Sequence, residues 1–171
     1  EAARKARLNP GFKRDDVEKV ELKVHPRCLS VCNIQEPETG LEVKFSLRHT
    51  AALSLSDAPT GDLHLYSVET ATDPDYVALR SKVAVSGDAD LNRNGSEIIV
   101  HQSDGTVIRE VADLTVPSPD FNDTWSRLQE KFSAIVAPVV GDAGAETVLR
   151  MVSDLENQDD LSALLKACVP S

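Results

Sequence analysis

Ile98-Ile99-Val100-His101-Gln102-Ser103-Asp104-Gly105-Thr106-Val107-Ile108 places two β-branched runs on either side of Ser-Asp-Gly. That pattern predicts a β-hairpin, with Gly105 supplying the positive φ that a tight turn needs. The second strand is expected to run on to about Val111 or Val116. Upstream, Val20, Leu22 and Val24 alternate with Glu21 and Lys23, a period of two that predicts another strand with one wet face. His25-Pro26 ends it, and Val83 and Val85 begin a further strand. Downstream, Pro117-Ser118-Pro119-Asp120 changes the regime. Trp125, Leu128, Phe132, Ile135 and Val136 form one helical stripe, and Ala145, Val148, Leu149, Val152 and Leu155 form a second. Leu161, Leu164, Leu165 and Cys168 form a third. The fold class that follows is α+β: a small antiparallel sheet with helices over residues 1–116, then a helical segment over 117–171.

Between the strands the helix signals are local. Thr39-Gly40-Leu41-Glu42 fits a capping box and predicts a helix running from Val43 to Leu55, with Leu41, Phe45, Ala52 and Leu55 on one side. Asp73-Pro74 predicts a second helix to Lys82, with Asp73 as its cap and Pro74 at its first position. Cys28 to Asn33 reads as a short extended piece. The chain opens Glu1-Ala2-Ala3-Arg4-Lys5-Ala6-Arg7-Leu8, without Met, and this reads as the end of a helix in a cut chain, the alternative being a processed full protein.

Composition narrows the function classes. A chain of 171 residues is long enough to bury a core without disulfide or metal staples. Eighteen basic against 28 acidic residues give a net charge of −10, which argues against a polyanion or anionic-membrane surface. No apolar run approaches the ~20 residues of a membrane span. Three cysteines, Cys28, Cys32 and Cys168, make no disulfide framework, so a cytoplasmic setting is expected.

The recognisable metal and nucleotide patterns fail on inspection. Asp90-Leu-Asn92-Arg-Asn94-Gly95 begins like an EF-hand loop, but the twelfth position is His101 rather than Glu, so a solvated inter-strand loop is expected. Cys28 and Cys32 lack the second pair that a zinc site needs. His25, His49, His64 and His101 show no ligand spacing, and no phosphate-loop or nucleophile-elbow motif occurs. The remaining candidate is an anion site. Lys44, Arg48 and the Ser46 hydroxyl lie near the start of the expected Thr39-capped helix, where free N–H groups could meet a carboxylate. The alternative is an ordinary amphipathic helix in which Lys44 pairs with Glu42 or another acidic neighbour.

His25-Pro26, Cys32-Asn33-Ile34-x-x-Pro37 and Thr39-Gly40-Leu41-Glu42-Val43-Lys44-Phe45-Ser46 together resemble the C-terminal part of the MmgE/PrpD family. The Ser103-Asp104-Gly105-Thr106 turn, Leu128-x-x-Lys131-Phe132 and the closing Leu155-Glu156…Asp160-Leu161-x-x-Leu164-Leu165 fit the same family. The resemblance implies a cofactor-independent lyase or isomerase: a 2-methylcitrate dehydratase, a cis-aconitate decarboxylase or an iminodisuccinate epimerase. Such enzymes remove a proton beside a carboxylate or imine of a small di- or tricarboxylate. They pair a large helical domain with a smaller α+β lid, enclose the active site between the two, and form homodimers.

On that resemblance, residues 1–116 form the lid, with 1–8 ending a preceding helix. Residues 117–171 would pack on a helical domain outside this chain, and the acid–base residues would lie upstream. The fragment is then expected to be inactive alone. Lys44 and Ser46 carry over as candidate substrate-carboxylate contacts, and the segment from Cys28 to Asn33 lines the cleft by analogy. The decarboxylase has a tyrosine near that segment; this sequence has none there. No metal, organic cofactor, nucleic acid or membrane partner is implied. A rival reading makes the chain a non-catalytic protein-association module, with exposed helical faces as its interface and a structural Lys44.

Overall fold

A computed structural model of the chain describes residues 1–169. They divide into two compact units, one comprising Glu1–Thr60 and His64–Pro117, the other Gly61–Leu63 and the chain from Ser118 onward.

The first unit is built on four strands: β1 (Val17–Val24), β2 (Val83–Gly87), β3 (Gly95–Gln102) and β4 (Val107–Asp113). Their order is β2-β1-β3-β4. The expected hairpin is present: β3 pairs antiparallel with β4, and Gly105 takes φ +85° in the turn. The strand at Val20 is present too, but the sheet is mixed rather than wholly antiparallel. β1 pairs antiparallel with β3 and parallel with β2, Val20 facing Val83. The parallel pairing is geometrically open because helices fill the connection and return the chain to the same end of the sheet. The Asp88–Asn94 stretch is a loop between β2 and β3.

One face of the sheet is covered. Helix α1 (Ala2–Arg7) and helix α4 (Leu47–Leu55) pack with the sheet into a core that includes Ala6, Val20, Ala52, Leu55, Ile98 and Val100, each at most 1% exposed. The Arg7 guanidinium reaches Asp57, just past the end of α4, at 2.9 Å. The other face carries charge. Glu97 is nearly buried there, gripped by Lys23 at 3.0 Å and by Arg109. The Lys23 ammonium, and with it the Arg109 guanidinium, holds the Glu97 carboxyl below the usual carboxylate range against the opposing pull of burial. His101 and Lys19 both meet Glu21 at 2.9 Å.

Helices α2 (Pro26–Leu29), α3 (Gly40–Lys44), α5 (Val68–Thr72) and α6 (Pro74–Ser81) complete this unit. Three differ from expectation. The piece expected to be extended, Cys28 to Asn33, instead opens within a turn of helix, Pro26–Leu29, because Pro26 presets φ and His25 Nδ1 accepts the Arg27 N–H. The helix expected from Val43 to Leu55 is broken at Phe45 and Ser46. Leu41 and Phe45 consequently stay exposed, while Ala52 and Leu55 are buried. Helix α5, capped by Ser67, was not read from the sequence. Helix α6 starts as expected, with Asp73 Oδ1 accepting from Asp75 and Tyr76 N–H groups. A second core gathers Val43, Leu53 and Ala71, with Tyr66 and Tyr76 against them.

The second unit is helical, as its periodicity predicts. It contains α7 (Phe121–Val140), α8 (Asp142–Ser153) and α9 (Ser162–Ala167). Asp120 caps α7 by accepting from Asp123 N–H at 2.9 Å, and Gly141 separates α7 from α8 at φ +78°. Between α7 and α8 runs an apolar groove of about 380 Å³, lined by Trp125, Leu128, Phe132, Ile135, Val148 and Val152 among others. No helix among the described residues is long and apolar enough to cross a membrane.

Candidate functional site

The candidate residues sit around the break between α3 and α4, and three local arrangements build it. The first is the capping box: Thr39 Oγ1 accepts the Glu42 N–H at 3.3 Å, while Glu42 Oε2 accepts the N–H groups of Glu38 and Thr39 at 2.8 and 3.0 Å. These backbone donors, Glu38 first, keep the Glu42 carboxyl below its ordinary range. Glu42 is thereby engaged with the backbone, and Lys44 lies elsewhere.

The second is the break itself. Ser46 is extended, at φ −111° and ψ 103°, and forms an isolated antiparallel bridge with Asn33. Ile34 N–H donates to the Phe45 carbonyl at 3.1 Å, and Leu47 N–H donates to the Cys32 carbonyl at 2.9 Å. Arg48 Nη1 locks the same pair of segments by donating to Asn33 Oδ1 at 2.8 Å. A continuous helix through Ser46 would forfeit these bonds; the serine instead caps α4, its Oγ accepting the His49 N–H at 3.2 Å. Ser46 is fully buried.

The third is the docking of α3 on the segment around Tyr66. Gly40 lies so close to Tyr66 that a Cβ there would stand 1.9 Å from the Tyr66 carbonyl oxygen. Only glycine fits. Lys44 is the last residue of α3, so its charge complements the carbonyl end of that helix rather than opposing a helix N-terminus. Its ammonium lies 5.0 Å from the centroid of the Tyr66 ring, a cation–π placement. Tyr66 in turn donates its hydroxyl proton to the Thr60 carbonyl at 2.8 Å, and burial raises the phenol above its usual range.

Lys44 and Ser46 are therefore neighbours in chain but differ in setting. The Lys44 side chain is exposed over an aromatic face, and Ser46 is inside, holding the start of α4. Arg48 is half-buried and engaged with Asn33. An exposed ammonium at the end of α3, on a turn tied down from both sides, can receive a carboxylate without reorganising the backbone. Sequence reasoning named Arg48, and Asn33 within the Cys28–Asn33 segment, but not their contact; it missed Tyr66 and the contact of His49 with Arg80 of α6. Only the Ser67 cap that precedes α5 left a readable local signal. Among the described residues, no group of three or more His, Cys, Asp or Glu side chains is arranged to hold a metal ion.

The family model of the MmgE/PrpD C-terminal domain matches residues 1–157. No curated protein matches the chain.

Proposed function

The chain belongs to the MmgE/PrpD family, as its C-terminal domain, and from that premise we propose that it is the lid portion of an enzyme acting on small di- or tricarboxylates. The proposed reaction is of the 2-methylcitrate dehydratase type: loss of a proton beside a carboxylate, followed by loss of a leaving group. The base comes from a helical domain outside these residues. Lys44 contributes a fixed positive charge for a substrate carboxylate. Ser46 beside it keeps the turn in place by capping α4. Charge that develops on the carboxylate as the proton leaves is stabilised by such a preset cation, and a closing lid removes the competing water.

The observation that carries this reading is the exposed Lys44 ammonium on a turn braced by Asn33, Arg48 and Tyr66. The test has two arms. The 171-residue chain alone should not turn over 2-methylcitrate, cis-aconitate or iminodisuccinate; enzyme-like rates from it would end the proposal. In the intact enzyme, Lys44→Ala should raise KM and lower kcat, cutting kcat/KM by about 10- to 100-fold, the worth of one charge-assisted hydrogen bond. Unchanged kinetics would remove Lys44 from the site.

The association-module reading draws on a different observation, the open apolar groove of α7 and α8. On that reading Lys44→Ala leaves every activity unchanged, and apolar-to-charged substitutions at Leu128 abolish partner binding instead.

A further inference from the structure

His49, three residues after Ser46, lies in the first turn of α4 and is 0% exposed. Its backbone N–H makes the Ser46 cap bond. Its ring meets Tyr76 of α6 edge-on, at 6.2 Å between centroids. Arg80, on the same face of α6 one turn later, brings Nη1 to 3.4 Å from His49 Nδ1. A guanidinium can only donate, so Nδ1 accepts and the remaining proton sits on Nε2. Nε2 is buried and makes no hydrogen bond of ordinary geometry.

This arrangement holds a neutral imidazole and is hostile to a charged one. A second proton would have to sit on Nδ1, facing a cation that it cannot pair with and out of reach of water. We propose that His49 is a positioning residue that locks the Lys44–Ser46 turn in its neutral form, and that protonation of His49 releases the turn by driving α4 and α6 apart. The bearing of this lock on carboxylate capture rests on the function proposed above; the lock itself does not.

The charged groups around the ring agree. Burial, and then the Arg80 charge, lower the His49 pKa, while the Thr70 backbone and the Asp73 carboxylate at the cap of α6 pull the other way. Other elements against α4 bring little to the ring. In α3, Glu42 is held by backbone N–H groups and Lys44 by Tyr66. In α1, Arg4 pairs with Glu1, Lys5 reaches the Val111 carbonyl and Arg7 pairs with Asp57. β2 has no titratable side chain.

The sign follows from linkage. Above the ordinary histidine pKa of about 6.5, folded and unfolded chains are both neutral at His49 and the lock is complete. Below it the unfolded or released chain takes a proton that the locked one refuses. The equilibrium constant for release then rises by up to about tenfold per pH unit.

Nuclear magnetic resonance on the 171-residue chain tests this from pH 7.5 to 5.0. The His49 ring should still be neutral at pH 6.5. As pH falls further, the His49 amide should lose hydrogen-exchange protection while the Ile98 amide in β3 keeps its own. Arg80→Met should move the His49 midpoint upward, and His49→Gln should abolish the pH-dependent loss of protection at position 49. A His49 ring that charges at or above pH 6.5, or an amide protection that ignores its charging, overturns the proposal. If His49→Gln fails to fold, the wild-type titration and Arg80→Met still decide. Lys44→Ala kinetics report separately on the carboxylate site, so each idea can fail without the other.

Discussion

Val17, Val20, Leu55, Ile98 and Val100 in the first unit are at most 1% exposed, whereas no residue of the twenty in α7 is buried. Both regions are amphipathic by sequence, and both present a continuous apolar stripe. The difference is closure. In the first unit α1 and α4 cover the sheet, and the stripe becomes a core. In the second, α8 contributes Ala145, Val148 and Met151 as buried residues, yet the facing side of α7 stays open along the groove. A periodic apolar pattern states which face seeks cover; it does not state that the same stretch of chain provides it.

That contrast can be broken most sharply by truncation. Leu55→Ala should destabilise the first unit by about 2–5 kcal/mol, the cost of lost burial plus a cavity. Leu128→Ala, at a position 53% exposed, should cost less than about 0.5 kcal/mol. Urea unfolding of both variants measures the pair, and equal losses would erase the distinction. Next in size is Gly40→Ala. In an ordinary helix that change stabilises, but here the new methyl meets the Tyr66 carbonyl, and a loss of about 1–3 kcal/mol is expected in the same assay. Smaller again is the effect of Thr39→Ala, which removes one half of the capping box for about 1 kcal/mol. If Thr39→Ala cost as much as Gly40→Ala, the docking of α3 on Tyr66 would matter less than its cap.

These effects also mark what was legible. The capping box at Thr39, the Asp73-Pro74 start and the Gly105 turn involve residues two or three apart, so the sequence states them directly. The break at Ser46 is not local. Serine is tolerated within a helix and favoured at its cap, and here the pairing with Asn33 decides between them. The parallel partner of β1 was unreadable for the same reason: Val83 and Val85 announce a strand, not its neighbour. At the candidate site, Lys44 was legible as a cation near a cap. Its aromatic seat on Tyr66 and the buried His49–Arg80 contact depend on how α3, α4 and α6 assemble.

The position of β1 has a kinetic consequence. It is the first strand in the chain and a central one in the sheet, yet both of its neighbours, β2 and β3, are distant in sequence. The β3–β4 hairpin closes within about 1–10 μs of becoming available, because its turn is short. β1 cannot join until β2 or β3, well downstream, has been made, and closing so long a loop slows the search. A chain emerging from the ribosome thus carries its alternating Val20, Leu22 and Val24 unpaired until β2 or β3 has followed. The interleaved Glu21 and Lys23 are charges of the kind that discourage such a strand from pairing with another chain while it waits.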